Sequence, residues 1–168
     1  IGFPDKWRDY SQLEISKDSY VQNVMRANIF EFDRNMKKVG KLVDKSEWGM
    51  TPPTVNAYYH PINNEIVFPA GILQPPFFNP DADDAVNYGA MGVIIGHEIT
   101  HGYDDQGRQF NSEGNMADWW TEKDKQLFDA KTKVIEEQFN KYVVLDSVNI
   151  NGKLTLGENI ADLGGLSV

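Results

Sequence analysis

The sequence predicts an α+β fold, with a small antiparallel sheet or hairpin set beside a buried central helix. Three observations carry this. Apolar residues recur at three- and four-residue steps from Asp84 to Tyr103, two β-branched and aromatic runs flank Asn63-Asn64, and Pro and Gly clusters separate the periodic stretches. The 168 residues are 40% hydrophobic and 24% charged, which suits one domain or a large piece of one.

Residues 1–50 read as a helical lead-in. Within it, Tyr20, Val24, Ala27, Asn28 and Glu31 through Val39 set out one long amphipathic helix. Thr51-Pro52-Pro53-Thr54 is a connector, because proline suits neither helix interiors nor central strands. Val55 to Tyr59 and Glu65 to Phe68 then read as strand, turn, strand around Asn63-Asn64. Pro69, Pro75, Pro76 and Pro80 make the next stretch an irregular but ordered loop. Ala85, Tyr88, Met91, Ile95 and Ile99 follow on the central helix, apolar nearly all round, with Gly102 marking its end. Beyond the Gly- and Asp-rich loop 104–120, Thr121 with Asp124 resembles a capping box for a helix reaching about Tyr142. Val148 to Leu156 reads as a hairpin turning at Asn151-Gly152. A last helix starts near Gly157 and still runs at Asp162.

Composition excludes several function classes. The absence of cysteine removes disulfides, thiolate zinc fingers and cysteine nucleophiles. A net charge of −9 argues against nonspecific nucleic-acid binding, which needs basic patches. The longest apolar stretch, Ala90 to Ile95, is far shorter than the roughly 20 residues of a membrane-spanning helix. The chain opens at Ile1 with no initiator methionine and no signal peptide, so it reads as an excised piece of a longer protein.

The chemistry concentrates in His97-Glu98-Ile99-Thr100-His101. At 3.6 residues per turn the two histidines share one helix face, so both imidazoles reach a common point and supply two corners of a tetrahedral zinc site. Glu98 flanks that face and is placed to take a proton from a water without being a ligand. Chance produces this pattern in a chain of such composition on the order of 0.3% of the time. The bland alternative is a pair of satisfied histidines on a core helix. A hydrolytic zinc needs a third protein ligand and an open fourth position. No histidine lies downstream, and His60 on the predicted hairpin reads as an ordinary turn histidine. Gly157-Glu158-Asn159-Ile160-Ala161-Asp162 supplies acids instead. Glu158 and Asp162 stand four apart and face one way, Glu158 as third ligand and Asp162 as the acceptor that fixes a ligand histidine's tautomer. The expected cofactor is one zinc ion.

From about Asn56 to Leu166 the sequence resembles the neprilysin and endothelin-converting-enzyme family of zinc metallopeptidases, in the thermolysin-like gluzincin group. The residues that carry the resemblance are Asn56-Ala57-Tyr58-Tyr59, Ile66 through Phe78, Gly96 through Asp105, Asp118-Trp119-Trp120 and Gly157 through Asp162. It implies a thermolysin-like zincin core in which His97, His101 and Glu158 are zinc ligands and Glu98 is the general base. It implies that Asp162 is an outer-shell carboxylate in a proton-donor position. Asp104 is either a second outer-shell acid or a helix-ending aspartate. Asn56 and Ala57 match the edge-strand pair that holds a substrate backbone. Ile72, Phe77, Val93 and Ile94 either line a hydrophobic pocket beyond the scissile bond or simply pack the core. The implied reaction is general-base hydrolysis of oligopeptides on the amino side of hydrophobic residues, with Glu98 returning its proton to the leaving amine.

The whole chain then reads as one partial catalytic domain, residues 51–168 being the zinc-binding core and the C-terminal part missing. The family's later His and Arg would follow Val168, so zinc binding is expected of these residues and turnover of the segment by itself is not. The expected partners are peptide substrates and the N- and C-terminal parts of the same chain. The lack of cysteine suggests a bacterial-type member, exported to the periplasm or cell envelope. Two other readings stand beside the peptidase: a noncatalytic peptide-binding module retaining the zincin fold, and a structural protein in which the motif is accidental. Intact Glu98 and three intact ligands speak against the first, and a metal assay decides the second.

Overall fold

Local sequence preferences are honoured at most element boundaries in the computed structural model, which describes residues 1–168. The chain packs as two compact units, residues 4–49 and residues 1–3 with 50–168.

In the smaller unit, helix α1 spans Tyr20–Met36. Ser19 caps it, its hydroxyl accepting from the Gln22 N–H. None of its residues is buried. Glu31 and Glu47 join Arg8, Arg34 and Lys38 in an ion-pair network that ties the segment around Glu47 to the helix.

In the larger unit, β1 (Tyr58–His60) pairs antiparallel with β2 (Glu65–Val67), Tyr59 opposite Ile66. The strands turn through Asn63-Asn64 as expected. Asn64 adopts a left-handed φ of 48°, which Asn tolerates better than most residues, and the Asn63 N–H donates to His60 Nδ1. His60 is therefore occupied in its own turn. Behind the sheet, Ala57, Phe68, Ile72 and Met91 form a buried cluster against which Phe77 and Ile94 pack.

The expected single helix over 84–103 is four pieces: α2 (Asp84–Asn87), a π-helical turn (Tyr88–Gly92), α3 (Val93–Thr100) and a 3-10 turn (His101–Tyr103). Tyr88-Gly89-Ala90-Met91-Gly92 holds two glycines, and the widened turn shifts the register with which α3 enters its packing. Exposure falls on one face. Gly96 and Glu98 are covered, whereas Ile95 and Ile99 stand 38% and 49% exposed despite the apolar pattern.

Helix α4 (Glu122–Phe139) starts at the predicted capping box. Thr121 Oγ1 accepts from the Asp124 N–H, and Asp124 Oδ2 accepts from the Thr121 N–H. Thr121→Ala is expected to cost about 1 kcal/mol, lowering the midpoint of a thermal melt by roughly 2–4 °C.

The predicted hairpin is displaced. Strands β3 (Val143–Leu145) and β4 (Val148–Asn149) turn at Asp146-Ser147, with Asp146 at φ 45°, not at Asn151-Gly152. Asn151 is used instead to lead into α5 (Leu156–Gly165), its carbonyl accepting from the Leu154 and Thr155 N–H groups. Gly152 is required there for proximity. A Cβ would fall 2.3 Å from the Glu136 carbonyl oxygen, and its N–H donates to Asn140 Oδ1. Helix α5 packs against α3 more extensively than any other pair of elements meets. No helix is long and apolar enough to cross a membrane.

Candidate metal and catalytic site

Residues from three separate segments meet where α3 crosses α5. His97 and His101, one turn apart, bring their rings together edge to face with centroids 4.5 Å apart. Their Nε2 atoms are 2.9 Å from each other, and Glu158 Oε2 on α5 lies 3.3 Å from the first and 3.7 Å from the second.

The outer nitrogens decide the chemistry of the inner ones. His97 Nδ1 sits 2.9 Å from Asp162 Oδ1, and His101 Nδ1 sits 2.8 Å from Asp104 Oδ2. An ionised carboxylate can only accept, so each Nδ1 carries a hydrogen, and a ring that is neutral then turns its lone pair inward at Nε2. Two imidazole lone pairs and a carboxylate oxygen then converge with no donor among them, an arrangement that calls for a cation. A tetrahedral zinc with bonds of ~2.0–2.1 Å spaces its ligands about 3.3 Å apart. The three observed edges bracket that spacing, so the donor set fits the ion. His97, His101 and Glu158 thus form a group able to hold a metal.

Asp104 serves two structures at once. Its Oδ2 takes the His101 ring hydrogen, and its Oδ1 accepts from the backbone N–H groups of Gln106 and Gly107. Asp104, read in the sequence as either a second outer-shell acid or a helix-ending aspartate, directly follows the 3-10 turn and contacts the His101 ring. Burial alone would raise its pKa, but these hydrogen bonds hold it below the usual carboxylate value. The hydrogen bond to Asp104 in turn raises His101, against the opposing effect of burial.

Glu98 is only 5% exposed. Burial pushes its carboxyl up, opposed by the neighbouring His101 and His97 and by a hydrogen bond from the Tyr59 backbone N–H. Strand β1 thus brings a backbone N–H whose polarity favours the charged form of Glu98, an influence sequence reasoning missed. A main-chain donor leaves no mark in residue identity, and only the predicted strand edge beside the motif hinted at it.

Glu98 opens onto a cleft of about 350 Å³ shared with His97, His101, Glu158, Asn56 and Ala57. Asn56 Oδ1 accepts from the Ala57 N–H. Pro61, Gln106 and Phe110 also line this cleft and were not anticipated. Ile72, Phe77, Val93 and Ile94 do not line it. Ile72 is buried in the apolar cluster, Phe77 and Ile94 pack onto that cluster, and Val93 abuts Gly165.

Relatives agree with this geometry. The chain is 49% identical over 99% of its length to an endothelin-converting enzyme homolog of Locusta migratoria, and 47% identical over 99% to neprilysin-3 of Drosophila melanogaster. It covers 24% and 22% of those two proteins, so it spans about a quarter of the length of the relatives it matches. Its fold superposes on the inhibitor complex of the Mycobacterium tuberculosis zinc metalloprotease Zmp1 with a TM-score of 0.93. The identity there is 53%, over 99% of this chain and 26% of that one. The PepO structure from Lactobacillus rhamnosis gives 0.90 at 37% identity, over 99% of this chain and 26% of that one. The model of peptidase family M13 matches residues 56–168, two thirds of the sequence and all of the site just described, and the chain belongs to that family.

Proposed function

We propose that this chain holds the catalytic centre of a zinc-dependent metalloendopeptidase acting on oligopeptides. The observation that carries the reading is the convergence of three acceptors, His97 Nε2, His101 Nε2 and Glu158 Oε2, with both outer nitrogens tied to carboxylates. His97, His101 and Glu158 would hold one zinc ion, which would supply Lewis-acid chemistry toward a peptide carbonyl and its attacking water. Glu98 takes the proton of that water and later delivers it to the leaving amine. Its burial packs the carboxyl in place beside the two histidines. Asp162 and Asp104 orient the two rings, and a proton-donor position for Asp162 rests on the resemblance alone. Asn56 and Ala57 grip the substrate main chain from the strand edge that leads into β1.

Cleavage on the amino side of a hydrophobic residue belongs to the same proposal. Its support is the resemblance of the chain, together with the apolar cluster that lies behind Ala57, a residue that also lines the cleft. Export to the cell envelope rests on the resemblance alone. A noncatalytic peptide-binding module is the second reading. An intact, buried Glu98 has no task in such a module, and that speaks against it.

Zinc content with peptide cleavage tests the proposal. One equivalent of zinc is expected, with hydrolysis of a fluorogenic peptide by the whole protein that stops on chelation. Zinc bound without hydrolysis by the whole protein selects the binding module. Protons compete with the metal for the imidazole nitrogens, so zinc affinity is expected to fall as pH drops through the range in which His101, held above the usual histidine value by Asp104, takes up a proton. Affinity that stays constant from pH 8 to pH 4 would contradict histidine ligation.

A further inference from the structure

Helix α5 carries Gly157, Gly164 and Gly165 within ten residues. Glycine weakens a helix relative to alanine, so glycines retained inside one point to a packing requirement. The neighbours of two of them on α3 supply it. A Cβ at Gly164 would lie 2.0 Å from Thr100 Oγ1, 2.6 Å from its Cγ2 and 2.7 Å from its Cβ. A Cβ at Gly165 would lie 2.4 Å from the Val93 carbonyl oxygen, and one at Gly96 would lie 2.9 Å from Gly165 Cα. Favourable contacts between carbon atoms need ~3.5–4.0 Å. The two helices therefore meet backbone to backbone at Gly96 and Gly165, and Thr100 occupies the space Gly164 leaves. Thr100 has little freedom to withdraw, because its hydroxyl donates to the Gly96 carbonyl at 2.7 Å and its Cβ is fixed to the α3 backbone.

The same two helices carry the donors. His97 belongs to α3, and Glu158 and Asp162 belong to α5. The His97–Asp162 bond of 2.9 Å and the His97–Glu158 distance of 3.3 Å both span the crossing. Any increase in the separation of α3 and α5 is read out directly in those two distances.

We propose that Gly164 is a positioning residue for the metal site. Its missing side chain lets α5 seat against Thr100 at the separation that brings Glu158 and Asp162 to the two histidines. The inference rests on the proposed zinc ligation by His97, His101 and Glu158.

The test uses the full chain with zinc as the probe, its affinity read by chelator competition, and cobalt(II) as a second probe, whose visible absorption reports coordination number. Gly164→Ala is expected to weaken zinc by about 10–100-fold, the range of a lost outer-shell support, and to diminish the four-coordinate cobalt band. Adding Thr100→Gly to Gly164→Ala removes the obstructing side chain. The double variant is expected to return both signals to the level of Thr100→Gly alone. A residue that matters only for helix propensity behaves oppositely, Gly164→Ala firming α5 with zinc affinity unmoved, and that result overturns the proposal. Should Gly164→Ala fail to fold, the double variant decides. Affinity matching Thr100→Gly alone supports the proposal, and weaker affinity or a second failure to fold overturns it. A parent chain that binds no zinc defeats the metal reading itself, whereas a parent and a Gly164→Ala variant that bind zinc equally defeat only the positioning role.

Discussion

Glu98→Gln is expected to leave zinc bound and to reduce hydrolysis in the whole protein by about 10²–10⁴-fold, the range attributed to a positioned acid or base. The amide matches the carboxylate in size, so the packing around a residue 5% exposed should survive. Glu98 is also absent from the convergent donor group, so the metal loses no ligand. What disappears is the capacity to hold a proton between its removal from water and its delivery to the amine. Metal analysis and peptide cleavage on one preparation separate these effects. Undiminished cleavage would show that another group is the base, and lost zinc would show that Glu98 supports the ligands.

The second large effect is expected from Glu158→Ala. Two imidazoles remain, and zinc affinity should fall by more than the ~10–100-fold typical of an outer-shell change. The Glu158 side chain is 70% exposed, so its truncation opens no cavity, and the zinc-free variant should melt with the zinc-free parent. With zinc present the two should diverge, because a ligand that binds only the folded chain raises its apparent stability by mass action. Asp162→Asn is the graded comparison. It removes the anionic acceptor at His97 Nδ1 and leaves all three donors. A Glu158→Ala chain that binds zinc like its parent would show that the third ligand lies elsewhere.

The site was legible in sequence to the extent that local periodicity determines it. His97 and His101 had to share a face, and so did Glu158 and Asp162, because helix geometry leaves no choice. That the two pairs meet depends on a helix crossing between residues about sixty apart, which the need for a third ligand suggested and the resemblance to a peptidase family reinforced. The capping box at Thr121 and the turn at Asn63-Asn64 were legible for the same local reason. Asn151-Gly152 misled because an Asn-Gly pair serves a tight turn and a close approach to a helix equally well, and here α4 claims it. The π turn at Tyr88–Gly92 escaped because one extra residue in a turn hardly disturbs an apolar pattern. Ile72, Phe77, Val93 and Ile94 have the composition of a pocket wall and of a core alike, so identity could not separate the two.

The two oxygens of Asp104 bind an imidazole on one side and two consecutive amides on the other. The loop after the motif helix and the aim of His101 are therefore one latch. Opening the loop frees the ring, and a ring pinned by a ligand keeps the loop shut, so occupancy of the centre and order of the surrounding backbone rise and fall together.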